Sequence, residues 1–285
     1  MLKAHPRTLA NHSNLSMPSP GFGTWQYGED ASQREQELAS LQRALEIGFR
    51  HFDTAEMYAD GEAERLLGEA CNASDVPREE LFIVSKVYPW NAGREAMQQA
   101  CEQSLKRLDM AYLDLYLLHW PGDIAFEETL EAARALLDAG KIRAFGVSNF
   151  NTQQISSLIE RDLADLIDVN QVLHNLPNRG PEVDLFPLME THDILPVAYS
   201  PMELGPTSRI DGLEALADEL GITLAQLVLA WHLTLGKAVP IPKSSTLSHI
   251  DDLASAAEIT LSEEVMARID DAAPIPEEPV SLEVR

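Results

Sequence analysis

Short runs of β-branched, aromatic and leucine residues alternate along the chain with longer stretches whose apolar residues recur every three or four positions. The short runs predict strands and the longer recurrence predicts amphipathic helices. Strands are expected to end at "GFGTW" (21–25), "RHFDTA" (50–55), "LFIVSK" (81–86) and "YLDLYLLHW" (112–120). Others follow at "IRAFGVSN" (142–149), "LIDVNQ" (166–171), "ILPVAYS" (194–200) and "AVPIPKS" (238–244). Helices are expected over 35–47, 94–108, 127–139 and 211–220. In the first, Leu38, Leu41, Ala44 and Leu45 share one face; in the second, Met97, Cys101, Leu105 and Leu108 do.

Strands that alternate with helices imply a parallel sheet, because each crossover must return the chain to the same end. Eight such units, spaced at roughly thirty residues, predict an α/β fold of the (β/α)8 TIM-barrel kind. The expectation is one domain over 1–285, with a core from about 19 to 272 and a short, proline-rich, acidic C-terminal tail. The rival architecture is an open dinucleotide-binding sheet, with "GFGTWQYG" as its glycine loop and Asp53 as its ribose partner. That pattern fails at its third glycine, where Gln26 stands, and eight units exceed the usual six.

Composition narrows the class. A chain of 285 residues with 45% hydrophobic residues can fill such a core. No window reaches the roughly 18 uninterrupted apolar residues of a membrane helix. The opening residues lack a signal-peptide apolar core, so a cytoplasmic location is expected. Acidic residues outnumber basic ones 46 to 21, for a net charge of −25. That field repels nucleic acid and anionic membranes, so neither is expected as a partner. Its self-repulsion is relieved by screening, which points to a salt-adapted host. Cys71 and Cys101 have no metal-ligand spacing; they read as reduced, buried thiols, and no metal is expected. A monomer acting on a small molecule is the expected state.

The chemistry lies at the carboxyl ends of the predicted strands, which in a barrel surround the active site. Those ends carry Gly23, Thr24 and Trp25, then Asp53, Lys86, His119, Ser148 and Asn149, Gln171, Tyr199 and Ser200, and Lys243 and Ser244. Singly, each has an ordinary explanation: a solvated terminus for Lys86, a satisfied core histidine for His119, a turn cap for Asp53. Together they form a set. Asp53 beside Lys86 would keep the ammonium charged, and the ammonium would draw the Tyr58 phenol down from about 10 toward working pH. Such a tyrosine can give a proton to a carbonyl oxygen that a neutral His119 orients. The nucleophile still lacking would be hydride from a reduced nicotinamide. Ser148, Asn149 and Gln171 suit its carboxamide and Tyr199 its ring. Lys243, Ser244 and the helix start near Leu247 suit a phosphate.

In their order, "FDTAEMY", "VSKVY", "LYLLHWP", "GVSNF", "VNQV", "AYSP" and "IPKS" resemble the motifs of the aldo-keto reductases. The resemblance implies an NAD(P)H-dependent carbonyl reductase with Tyr58 as acid, Asp53 and Lys86 as its tuners, and His119 as the orienting residue. It extends the cofactor set to Pro201, Leu204, Ile241, Pro242 and His249. Segments such as "AEMYADG" and "SKVYPWNAG" look most like bacterial members near the methylglyoxal reductases, which implies small aldehydes and 2-oxoaldehydes as substrates. Trp25, Tyr88 and Trp120 are expected to wall the pocket, and the short tail implies a permissive mouth. Some positions depart from the family pattern. His249 stands where an arginine is common, Leu253 replaces an adenine-contacting asparagine, and Leu173 replaces an acidic residue. The preference for NADPH over NADH therefore rests on Lys243 and Ser244. Two further rivals remain: a lyase using Lys86 as a Schiff-base amine, and a nicotinamide-binding redox sensor of the same fold with little turnover.

Overall fold

The computed structural model describes residues 2–202 and 210–284. A hairpin of two short antiparallel strands, β1 (Arg7–Thr8) and β2 (Ser16–Met17), comes first. The residue pattern did not announce it, since a two-residue strand has no period to read. Eight parallel strands follow: β3 (Phe22–Gly23), β4 (His51–Asp53), β5 (Phe82–Val87), β6 (Leu115–Leu118), β7 (Phe145–Ser148), β8 (Ile167–Leu173), β9 (Leu195–Tyr199) and β10 (Val239–Pro240). They lie side by side in chain order from β3 to β10. At the two edges, the Gly21 and Gly23 amides donate to the Pro240 and Pro242 carbonyls, each at 2.9 Å.

The helices are α1 (Arg34–Ile47), α2 (Glu62–Asn72), α3 (Arg94–Leu108), α4 (Phe126–Asp138), α5 (Thr152–Glu160), α6 (Leu185–Thr191), α7 (Leu213–Leu220), α8 (Leu224–Leu235), α9 (Leu247–Ala256) and α10 (Glu263–Ala272). Three of the four predicted helices begin and end within a residue of these bounds, α3 matches at both ends, and the fourth, 211–220, ends with α7 but starts two residues early. Its stripe of Met97, Cys101, Leu105 and Leu108 is buried, while Gln98 and Glu102 face solvent. Each leucine so buried stabilises the fold by about 1.5–3 kcal/mol. Helix α2 packs closely against the end of α3: a Cβ on Gly68 would come within 2.4 Å of the Leu108 carbonyl oxygen.

Alternation along the strands decides what reaches the site. Ile83, Tyr116, Phe145, Val147 and Val172 point toward the helices and join their core. Phe82, Val84, Leu115, Leu117, Val169, Val197 and Val239 point the other way and pack with Leu9 and Met17 of the hairpin. Side chains two apart on a strand share a face. Lys86, His119, Gln171, Tyr199 and Ile241 therefore continue the inner rows of Val84, Leu117, Val169, Val197 and Val239 at the strands' carboxyl ends. The hairpin covers the opposite end, where Asp168 accepts the amides of His12, at 2.9 Å, and Ser13, at 3.1 Å. Among the described residues the tail beyond α10 carries no regular structure, and Arg179 donates to the Ala273 carbonyl at 2.7 Å where it begins. Among the described residues no helix is long and apolar enough to cross a membrane.

Candidate active site

Lys86 is the fixed point of the site. Its side chain has no exposed surface, and an ammonium has three donors to satisfy. All three are used: Asp53 Oδ1 at 2.5 Å, the Thr54 carbonyl at 2.8 Å and the Tyr58 hydroxyl at 3.2 Å. Burial alone would lower the lysine's pKa, but Asp53 and Tyr58 outweigh it and leave the group above its ordinary value. Asp53 is held in turn. Its second oxygen accepts Gln171 Nε2 at 2.8 Å, and its carbonyl accepts both the amide and the hydroxyl of Thr24, each at 3.0 Å.

This arrangement fixes the direction of the Tyr58 proton. Lys86 can only donate, so the phenol oxygen accepts from it, and the phenol's own hydrogen is free for the cavity that Tyr58 lines. The His119 ring lies edge-on to Tyr58 with centroids 5.9 Å apart. Burial, reinforced by Lys86, lowers the histidine to about 2, so it is a neutral imidazole. Its Nδ1 is buried without a hydrogen-bond partner. For Tyr58 the expected direction of shift is reversed. Lys86 does pull its pKa down, yet burial of the phenol is the larger effect and the group ends above its ordinary value. The tyrosine is a protonated donor at neutral pH, and the ammonium offsets part of the rise caused by burial without ionising the phenol. Tyr58 and His119 therefore both keep one protonation state from about pH 6 to 9. For the carbonyl reduction that the motif resemblance implies, the expected outcome is a kcat that is flat over that range; an inflection near 7 that His119→Asn removes would contradict it.

These groups open onto a cavity of about 290 Å³ lined by Gly23, Trp25, Asp53, Met57, Tyr58 and His119, by Ser148, Asn149 and Gln171, and by Tyr199 to Met202, Ile241 and Lys243. Asn149 donates to the His119 carbonyl at 3.1 Å and accepts the Tyr199 hydroxyl at 2.9 Å, and Ser148 donates to the Gln171 carbonyl at 2.8 Å. Two residues on, Asn151 caps α5 in a reciprocal box with Gln154, which fixes how the chain leaves β7. With Nε2 given to Asp53, Gln171 keeps its amide oxygen as an acceptor. A flat phenol, an amide oxygen, hydroxyls and a lysine along one wall fit a nicotinamide nucleotide.

The family model described as "Aldo/keto reductase family" matches residues 21–274. The chain belongs to this family. It is 43% identical over 277 residues to methylglyoxal reductase YeaE of Escherichia coli (strain K12), covering 95% of this chain and 96% of that protein. It is 36% identical over 265 residues to glyoxal reductase of Bacillus subtilis (strain 168), covering 92% and 91%. Among solved structures, it is similar to an aldo-keto reductase from Klebsiella pneumoniae in complex with NADPH. The TM-score is 0.89 and the identity 41%, over 99% of this chain and 100% of that one.

Within this aldo-keto reductase, the remaining predicted site residues fall in different places. Trp25 lines the cavity and is 49% exposed. Tyr88 and Trp120 stand beside the cavity lining: the Trp120 ring is tilted against His119 with centroids 5.0 Å apart, and Tyr88 meets Trp120 edge-on with centroids 5.9 Å apart. Thr24 is fully buried and its hydroxyl is spent on Asp53. Pro242 is buried beside the lining, and its carbonyl accepts the Gly23 amide. His249 is exposed on α9. Leu204 lies outside the described residues. Lys243 sits with Nζ 5.4 Å from the centroid of Tyr27, whose hydroxyl donates to the Ser244 carbonyl at 2.8 Å. Burial lowers the Lys243 pKa, opposed by Glu37 and Glu29. Met57 and Met202 line the cavity although no motif reading singled them out. Their only sequence signal is position, one before Tyr58 and one after Pro201. No group of His, Cys, Asp and Glu among the described residues could hold a metal ion.

Proposed function

We propose that this aldo-keto reductase uses NADPH to reduce small aldehydes and 2-oxoaldehydes of the methylglyoxal kind. The observation that carries the reading is the Lys86 ammonium, which spends all its donors on Asp53, Thr54 and Tyr58 and so aims a phenol proton into the cavity. A reduced nicotinamide bound along Ser148, Asn149, Gln171 and Tyr199 would supply the hydride. Tyr58 gives its proton to the carbonyl oxygen as negative charge grows there. The neutral His119 shares that charge and fixes the carbonyl's direction. Asp53 and Lys86 hold the phenol in place, and Lys86 stabilises the phenolate left behind. An ammonium held this firmly in the charged state is unsuited to Schiff-base chemistry, which needs a free amine.

The two edge hydrogen bonds from Gly21 and Gly23 to Pro240 and Pro242 support a sheet closed into a (β/α)8 barrel and a single domain. The similar structure with NADPH and the placement of Lys243 at the cavity rim support NADPH over NADH. Gly23, Trp25, Ser200, Pro201, Ile241 and Lys243 form the rest of the nucleotide wall, and Pro242 and Ser244 support its backbone. Loss of reduced-cofactor absorbance with methylglyoxal and either nucleotide tests the assignment; no carbonyl-dependent oxidation of either would sink it. If Lys243 holds the 2′-phosphate, Lys243→Ala raises the KM for NADPH by about ten- to a hundredfold, the worth of one charge-assisted hydrogen bond. The KM for NADH should barely move, and equal effects on both would show that the lysine does not read that phosphate.

A further inference from the structure

Glu56 lies between Asp53 and Tyr58, yet the chemistry assigned above makes no use of it. Its side chain is half-buried, and one oxygen accepts both the Tyr88 amide, at 2.7 Å, and Asn91 Nδ2, at 3.3 Å. Its own amide donates to the Lys86 carbonyl at 3.4 Å. One carboxylate oxygen therefore ties the loop after β4, which carries Tyr58, to the loop after β5. The latter is a single turn of 3-10 helix, Pro89–Asn91. Pro89 has no N–H, so the Tyr88 amide is the last donor that can anchor the turn from its β5 side. Trp90 rides on this turn, 62% exposed, stacked on Tyr88 at 4.2 Å and edge-on to Trp120 at 5.8 Å. Trp120 touches His119, so the aromatic group adjoins the reacting centre.

The Tyr58 loop needs outside support. Ala59, Asp60 and Gly61 are all left-handed, with φ of 49°, 52° and 84°, a conformation that Ala59 in particular disfavours. The far end is held where Gly61 passes Arg107, since a Cβ there would fall 2.4 Å from Arg107 Cδ. Glu56 holds the near end. Burial raises its carboxyl pKa, against the bonds from Tyr88 and Asn91.

We propose that Glu56 is a positioning residue that sets the spacing between Tyr58 and the Tyr88, Trp90 and Trp120 rings, and thereby the selectivity for aldehydes bearing a flat apolar group. The proposal rests on the carbonyl-reductase reading. A compact 2-oxoaldehyde needs only Tyr58 and His119 at its carbonyl, whereas an aryl aldehyde is long enough to extend from them toward Trp120 and the rings beside it. Glu56→Ala removes the tie; Glu56→Gln keeps an oxygen that can accept from both donors.

The test compares the two variants with para-nitrobenzaldehyde and methylglyoxal. In Glu56→Ala the ratio of kcat/KM for the aryl aldehyde over methylglyoxal falls about tenfold, mainly through the aryl KM, and Glu56→Gln restores it. A second measurement needs no turnover. Trp90 and Trp120 are close enough for exciton coupling, so their circular-dichroism couplet weakens in Glu56→Ala and persists in Glu56→Gln, with the helical signal unchanged in both. An unchanged ratio or couplet in Glu56→Ala, or a Glu56→Gln variant that behaves like it, overturns the proposal. A wild-type protein that oxidises NADPH with neither aldehyde overturns the reductase reading instead, and the couplet still judges the tie.

Discussion

Tyr58→Phe is expected to bind NADPH as the wild type does and to lose about a thousandfold in kcat/KM for methylglyoxal, the usual worth of a positioned general acid. The change is confined to one oxygen. Lys86 keeps two of its three acceptors, Asp53 and the Thr54 carbonyl, so the ammonium stays in place. The lost hydrogen bond to a buried ammonium costs about 1.5–3 kcal/mol of stability, less than the usual margin of about 5–15 kcal/mol. The His119 ring keeps its edge contact with the aromatic face. Cofactor titration by fluorescence and steady-state rates on the same preparation separate the two effects. A variant reducing methylglyoxal at near wild-type rate would show that the proton comes from elsewhere.

Lys86→Met should show the largest effect on folding of any single change at the site. It leaves the Asp53 carboxylate in the interior with Gln171 as its remaining side-chain donor, and leaves the Thr54 carbonyl and the Tyr58 hydroxyl without the ammonium. Breaking a buried ion pair by removing one partner costs about 3–5 kcal/mol, because the other charge stays behind uncompensated. Urea unfolding measures the loss. Adding Asp53→Asn to the same chain should recover part of it, since the stranded charge is then gone even though catalysis is not restored. If the double variant is no more stable than Lys86→Met alone, the cost lies in packing around the lysine stem and the electrostatic account of this pair is wrong.

Much of this was legible in the residue order because inner-face side chains and site residues share one rhythm. Val84 to Lys86 and Leu117 to His119 are each a step of two along a strand, so an apolar run ending in a polar residue already marks a side chain at the sheet's carboxyl end. The stripe on α3 gave both of its ends for a similar reason. Other features depend on quantities no pattern carries. The third partner of Lys86 is a backbone carbonyl, present in every residue and so invisible in composition. The Tyr58 pKa is a contest between burial and a neighbouring charge, and residue order reveals the charge without the burial. Tyr88 and Trp120 adjoin the right motifs, yet whether such rings face the cavity depends on how the chain turns after each strand. Thr24 has the right neighbours, but its hydroxyl is already committed to Asp53.

The hairpin of β1 and β2 gives the molecule a back wall. Leu9 and Met17 are sealed beneath the inner rows, so reactants come and go on the far side, past Trp25 and Tyr58. The hairpin can thus be redesigned for durability without touching a residue that lines the cavity, whereas Ile241, which lines the cavity and packs in the cluster above the hairpin, couples the two ends.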